Sequence, residues 1–205
     1  MKNRRQFLAV AVLFEASLAG VAHLAGWWFE IEPWSRFRVN WFDFARGLAA
    51  AAPMLVLFYA SYQQPMGPLR RIKKLLDETL GGSLAACRWY DLLLLALVAG
   101  IGEELLFRGV LHPRMGLAGS NVLFGLAHSV SPTYALLAGG MGAYLGWMFD
   151  RTHNLLTPIT THAAYDFVAF LVIAHHCRAS QGAEPHPQLE GDGLSHELAD
   201  SDRRR

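Results

Sequence analysis

Apolar residues run along this chain in long stretches separated by short polar connections. A helix rises about 1.5 Å per residue, so about 20 apolar residues cross the hydrocarbon core of a bilayer. Phe7 to Trp28, Phe44 to Tyr62 and Trp89 to Leu111 are runs of that kind. Leu117 to His128 is shorter, and Thr133 to Phe149 and Leu155 to His176 complete the set. The pattern predicts an all-α, polytopic helical membrane protein with about six transmembrane helices. Between the second and third runs, Met66 to Leu80 sets Leu69, Ile72, Leu75, Leu76 and Leu80 among basic residues, the mark of an interfacial amphipathic helix. After Ala179 the chain turns to Gly, Pro, His, Glu, Asp and Ser, too polar to bury a core, and a disordered C-terminal tail is expected. Three regions follow: 1–88 with two spans and the amphipathic segment, 89–177 as a four-helix membrane core, and 178–205 as the tail. No internal repeat stands out.

Composition sharpens this reading. Of 205 residues, 53% are hydrophobic and only 17% charged, a low charge for a soluble chain of this size. A net charge of +1, without a basic face interleaved with aromatics, argues against a nucleic-acid partner. Cys87 and Cys177 lie far apart, without metal-ligand spacing, and imply neither a disulfide framework nor a catalytic thiol. Lys2, Arg4 and Arg5 precede the first run as in a signal peptide, but the run continues to Trp27 and Trp28, an interfacial aromatic anchor. An uncleaved span is expected, with Glu15 a packing or cavity-facing acid inside it. Lys and Arg divide twelve against five between alternate connections, which favours both termini in the cytoplasm and a place in the plasma (inner) membrane. His186 and His196 belong to the polar tail and are read as solvated.

Within the third run stands Gly102-Glu103-Glu104-Leu105-Leu106-Phe107-Arg108-Gly109. Ionised groups in a membrane helix are costly unless paired. Residues four apart share a helix face, so Glu104 and Arg108 are placed to pair. Glu103 sits about 100° around the helix from Glu104 and has no such partner. A desolvated carboxylate in that position can take a proton from water. Two more polar sites follow inside apolar runs: Phe124 with His128, and His162 with Asp166. Taken singly, His128 can cap a helix and His162 with Asp166 can form an interhelical hydrogen-bond pair. Helix rise places Glu103 roughly 21 Å from Trp89, and His162 roughly 12 Å from Asn154 at the opposite boundary. Across a core of about 30 Å these depths nearly coincide, and His128 falls within a turn of the same plane.

One carboxylate, two imidazoles and a second acid at a common depth suit hydrolysis. Glu103 would deprotonate a water held with His128, and His162 with Asp166 would stabilise the oxyanion formed on a carbonyl. The same residues permit a divalent metal such as zinc on Glu103, His128 and His162. The soluble zincin pattern HExxH is absent.

In this order, Glu103-Glu104 through Arg108, Phe124 through His128 and His162 through Asp166 resemble the EExxxR, FxxxH and HxxxN-type motifs of the CPBP family of intramembrane proteases, which includes type II CAAX prenyl endopeptidases and bacteriocin-processing enzymes. The resemblance covers about Tyr90 to Ala174. It implies an endopeptidase at the membrane in which Glu103 activates water, His128 shares it, His162 and Asp166 form the oxyanion side, and Glu104, Arg108 and Phe124 support the site. Family members have been described both as metalloproteases and as metal-independent enzymes, so a divalent ion stays open. Asp166 stands where asparagine is common, and the chain is shorter than the family's usual eight or so spans. The implied partners are a peptide or membrane-protein substrate and the lipid bilayer. Two other readings use the same residues: a catalytically idle scaffold or bacteriocin-immunity-type protein, and a proton-coupled transporter, which would more often show repeats and broken helix pairs. Gly139, Gly142 and Gly146 in the fifth run read as close helix packing.

Overall fold

The computed structural model describes residues 3–64 and 66–182. All its regular elements are helical, with no strand among the described residues. The polar segment beyond residue 182, with His186 and His196, lies outside the described residues, as do Met1 and Lys2.

Helix α1 (Arg4–Phe29) starts where the Asn3 side chain accepts from the Arg5 amide, and ends on Glu30 in the left-handed region. Helix α2 (Trp41–Gln63) is capped in the same way by Asn40. Such caps satisfy amides that the first turn leaves without partners. The expected amphipathic segment, Met66 to Leu80, forms α3 (Pro68–Leu76) and most of a π-helical turn (Asp77–Gly81), and the short α4 (Gly82–Ala85) follows it. The third apolar run forms α5 (Trp89–Glu104), which widens into a π-helical stretch over Leu105–Leu111. Helix α6 (His112–Ala127) kinks at Gly116, whose φ of 74° only glycine adopts easily, so its straight part begins at the predicted Leu117. Helix α7 (Pro132–Thr152) has Ser131 as its cap, and α8 (Leu156–Gly182) closes the bundle. Residues 178–182, read from sequence as the start of the tail, therefore continue α8.

Three of these helices, α1, α2 and α8, are long and apolar enough to cross a membrane by length and composition alone. Half of the apolar window of α8 is buried, against 6% for α1. That contrast makes α8 the central column and α1 a peripheral one, with α2 and α5 packed on α8. Phe14, Leu24, Trp27 and Trp28 on α1, and Trp41, Phe42, Val56 and Leu57 on α2, are exposed apolar side chains. In water they would be a liability; in lipid they are the expected outer surface.

Polar clamps fix the helices at both ends. Arg4 reaches both carboxylate oxygens of Asp91 at 2.7 Å, tying the start of α1 to the start of α5. At the other end Asn154 is fully buried, donates to Asp43 and to the Arg38 carbonyl, and accepts from the Arg38 amide. Between the clamps, small residues let backbones meet. A Cβ on Gly47 would lie 2.7 Å from the Thr157 carbonyl of α8, and one on Gly102 would lie 2.5 Å from the Glu15 carbonyl of α1. Gly102→Ala should therefore push α1 off α5 beside Glu103. Overpacking of this kind costs about 1–3 kcal/mol, read as a lower melting temperature in detergent. Gly82→Ala, where a Cβ meets nothing within 4 Å, should show no such loss.

Candidate active site

The apolar face of α5 delivers its acids at the point where the helix widens. Glu103 and Glu104 are the last two residues of α5, and both are buried. π-Helical turns inside helices recur at functional sites because they re-aim side chains out of the ordinary register. Glu104 is fully buried and accepts from Arg108 Nη1 at 2.9 Å, the pair expected from their spacing. The other guanidinium arm, Nη2, donates to the Gly142 carbonyl of α7 at 2.6 Å. Gly142 thus does more than let α6 and α7 approach; its carbonyl takes one end of a buried cation.

Sequence spacing did not expose the second partner of Glu104. His162 Nδ1 lies 2.9 Å from the same Oε1, from a position 58 residues away on α8. A carboxylate can only accept, so Nδ1 carries the proton and the tautomer is set. His162 Nε2 then lies 3.4 Å from Asp166 Oδ2, on the shared face of α8. A continuous chain results: Arg108, Glu104, His162, Asp166.

A second chain runs through α6. Phe124 is buried, with Phe107 edge-on at 4.8 Å and the Arg108 guanidinium 4.8 Å from its ring centre. Phe124 stacks on His128 at 4.5 Å and 21°. The Phe124 carbonyl lies 2.9 Å from His128 Nδ1, so that nitrogen too must donate. His128 Nε2 is left facing Glu103 Oε2 at 3.7 Å. That distance is too long for a direct hydrogen bond and suits a bridging water. Glu103 Oε2 is buried and has no hydrogen-bond partner among the described residues. Buried carboxylate oxygens are normally satisfied, so an orphan here marks a group kept for something else.

The structure thus gathers all seven residues singled out in the sequence: Glu103 with His128, Glu104 with Arg108 and His162, His162 with Asp166, and Phe124 against His128. A cavity of about 150 Å³ reaches His128, His162 and Asp166. Tyr134 of α7 and Tyr165 of α8 also line it, two residues the sequence reading did not select. A tyrosine in an apolar helix leaves too common a signal to be singled out. Glu15 Oε2 is likewise buried without a partner, on the α1 turn that meets Gly102.

Among the described residues, no three His, Cys, Asp or Glu side chains are grouped as a metal-ligand set. Glu104 occupies one nitrogen of His162 and Asp166 faces the other, so the triad Glu103, His128 and His162 is not arranged as ligands. Cys87, between α4 and α5, is buried, and burial pushes its thiol up, away from the thiolate a nucleophile needs.

Residues 85–168 match the family model of the Type II CAAX prenyl endopeptidase Rce1-like proteins. That segment is similar to the Rce1-like domain. It contains both chains of site residues, from Glu103 to Asp166, and leaves α1, α2 and α3 outside. The uncharacterized protein YpbD of Bacillus subtilis (strain 168) is 34% identical over 80 residues, which are 38% of this chain and 42% of that protein. The match therefore spans less than half the length of that relative. No solved structure matches the chain. The similarity of this segment to Rce1-like proteins, together with helices long and apolar enough to cross a membrane, is consistent with an integral membrane protein.

Proposed function

We propose that this protein is an intramembrane endopeptidase in which Glu103 activates water against a peptide carbonyl. The observation that carries this reading is the orphaned Glu103 oxygen facing His128 Nε2 across 3.7 Å, while His128 itself lines a cavity together with His162 and Asp166. His128, neutral with its proton on Nδ1, and ionised Glu103 both present acceptors. A water between them donates both protons and turns its lone pairs outward. As that water attacks the substrate carbonyl carbon, its proton passes to Glu103 and the C=O π electrons move to oxygen. His162 and Asp166 hold one proton between them, since His162 Nδ1–H is committed to Glu104. That proton faces the developing oxyanion, which answers the difficulty of an acid standing where an amide is common. Collapse of the tetrahedral intermediate breaks the C–N bond, and the leaving amine takes the proton from Glu103.

Glu104, Arg108 and Phe124 act by position, holding His162 and His128 in their tautomers. A divalent ion would draw on Glu103 and His128 and would need a third ligand that His162 does not offer as placed, so no step is routed through one. The distribution of basic residues along the sequence supports a cytoplasmic side of the plasma (inner) membrane for both termini. The substrate is a peptide, either a CAAX-type tail or a leader segment, presented at that surface.

The test uses protein in liposomes with a panel of quenched peptides, with and without chelator. Wild type should cleave, and His128→Ala should lose about 10²-fold or more in kcat by removing one of the two water acceptors. Cleavage that survives chelator fits the mechanism as written. Equal turnover by wild type and His128→Ala would defeat it.

A further inference from the structure

The cavity has a wall that the chemistry does not use. Leu69, Ile72 and Lys73 of α3 line it, opposite Tyr134 and Met141 of α7, and it runs from there to His128 and His162. Helix α3 begins after Gly67, whose φ of 52° strains any other residue, and ends in the π-helical turn Asp77–Gly81. A short helix with an irregular joint at each end can swing as a unit.

One polar cluster holds it down. Tyr62 of α2 donates to Asp77 Oδ1 at 2.6 Å, and Lys73 donates to Asp77 Oδ2 at 3.0 Å. The Lys73 ammonium also sits 3.6 Å from the centre of the Tyr62 ring. The faces of α3 are strongly divided. Leu69, Ile72, Leu75 and Leu76 turn inward or sideways, while Arg70, Arg71 and Lys74 are exposed. Among the described residues Lys74 has only the exposed Glu78 as an ion-pair partner, at 3.7 Å.

We infer that α3 is a hinged cover on the catalytic cavity, and that anionic lipid headgroups draw it open by binding Arg70, Arg71 and Lys74. The inference rests on the cavity being catalytic, as proposed above, and adds what controls entry to it. In the closed position Leu69 and Ile72 cover the cavity and the three cations face water. Swung onto the adjacent membrane, the same apolar face sinks into the interface and the cations meet headgroups. Apolar burial is then nearly unchanged between the two positions. The charge environment differs, and only such a difference lets a ligand shift an equilibrium. Three basic side chains at an anionic surface can move the open fraction by on the order of 100-fold. The Tyr62–Asp77–Lys73 cluster sets the closed position against which this works.

The test reads access to the cavity without any cleavage. Met141→Cys, in a Cys87→Ala, Cys177→Ala background, is labelled with an uncharged maleimide in phosphatidylcholine vesicles and in vesicles with added phosphatidylglycerol. Gln63→Cys, outside the cavity, controls for general reactivity, and circular dichroism confirms folding of each variant. The anionic vesicles should raise the Met141→Cys rate by roughly tenfold or more, with Gln63→Cys unchanged. Replacing Arg70, Arg71 and Lys74 by glutamine should remove the lipid effect. Asp77→Asn and Tyr62→Phe should raise the rate in neutral vesicles. Equal rates in the two lipids, a lipid effect that survives the triple replacement, or latch variants no faster than wild type would each overturn the cover. A protein that shows this behaviour but cuts no peptide would instead point to failure of the protease reading.

Discussion

Glu103→Gln should abolish peptide cleavage, with kcat reduced by about 10³-fold or more, while the melting temperature stays the same or rises. The two halves of this expectation have one cause. Glu103 is buried, and its Oε2 has no hydrogen-bond partner among the described residues. A buried group left without a partner costs stability rather than adding to it. Glutamine keeps the shape and removes the charge, so the fold loses nothing that the carboxylate supplied. The reaction loses its proton acceptor, because an amide oxygen cannot take a proton from water at neutral pH. Single-turnover cleavage in liposomes and a melting curve on the same preparation measure both. An active glutamine variant would remove Glu103 from the chemistry. An inactive variant that also melts far lower would return it to a structural role.

The largest stability effect should come from Arg108→Met. Arg108 is 2% exposed and joins three elements: Glu104 at the end of α5, the Gly142 carbonyl of α7 and the Phe124 ring of α6. Methionine fills much of the space but leaves the Glu104 carboxylate buried with only His162 beside it. Removing one partner of a buried pair costs about 3–5 kcal/mol, mostly from the charge left behind. If that account holds, Arg108→Met with Glu104→Gln should melt higher than Arg108→Met alone. The added glutamine keeps an acceptor for His162 Nδ1 and removes the stranded charge. Melting by tryptophan fluorescence in detergent compares the two. A double variant no more stable than the single one would mean that Arg108 acts through packing on Phe124 rather than through charge.

The helices were legible because lipid permits few solutions to backbone hydrogen bonding, so a long apolar run is already a helix. Site residues were legible for a related reason. Polar groups inside such runs are expensive, and Glu103, Glu104, Arg108, His128, His162 and Asp166 stand out against leucine and alanine. Spacing predicted the Glu104–Arg108 pair, since both lie on one helix. It could not predict that Glu104 also holds His162, because a bond between α5 and α8 leaves no period in either. The π-helical stretch over Leu105–Leu111 was equally hidden. Its composition is that of an ordinary apolar helix, and its widening comes from what packs around it. Amphipathicity revealed α3, but not what its apolar face covers, since the pattern shows a face and not its neighbour.

The cavity is built from two parts of the chain with different freedoms. Its acid and imidazoles, Asp166, His128 and His162, come from α8 and the end of α6, inside the segment similar to Rce1-like proteins, while much of the facing wall comes from α2 and α3, outside it. Met54, Leu57 and Phe58 line the cavity and carry no group that the proposed chemistry uses. Substitutions among them would change the shape on offer while leaving the proton path intact. Inheritance can therefore act on the two separately, holding the reactive residues still while the wall drifts toward new clients.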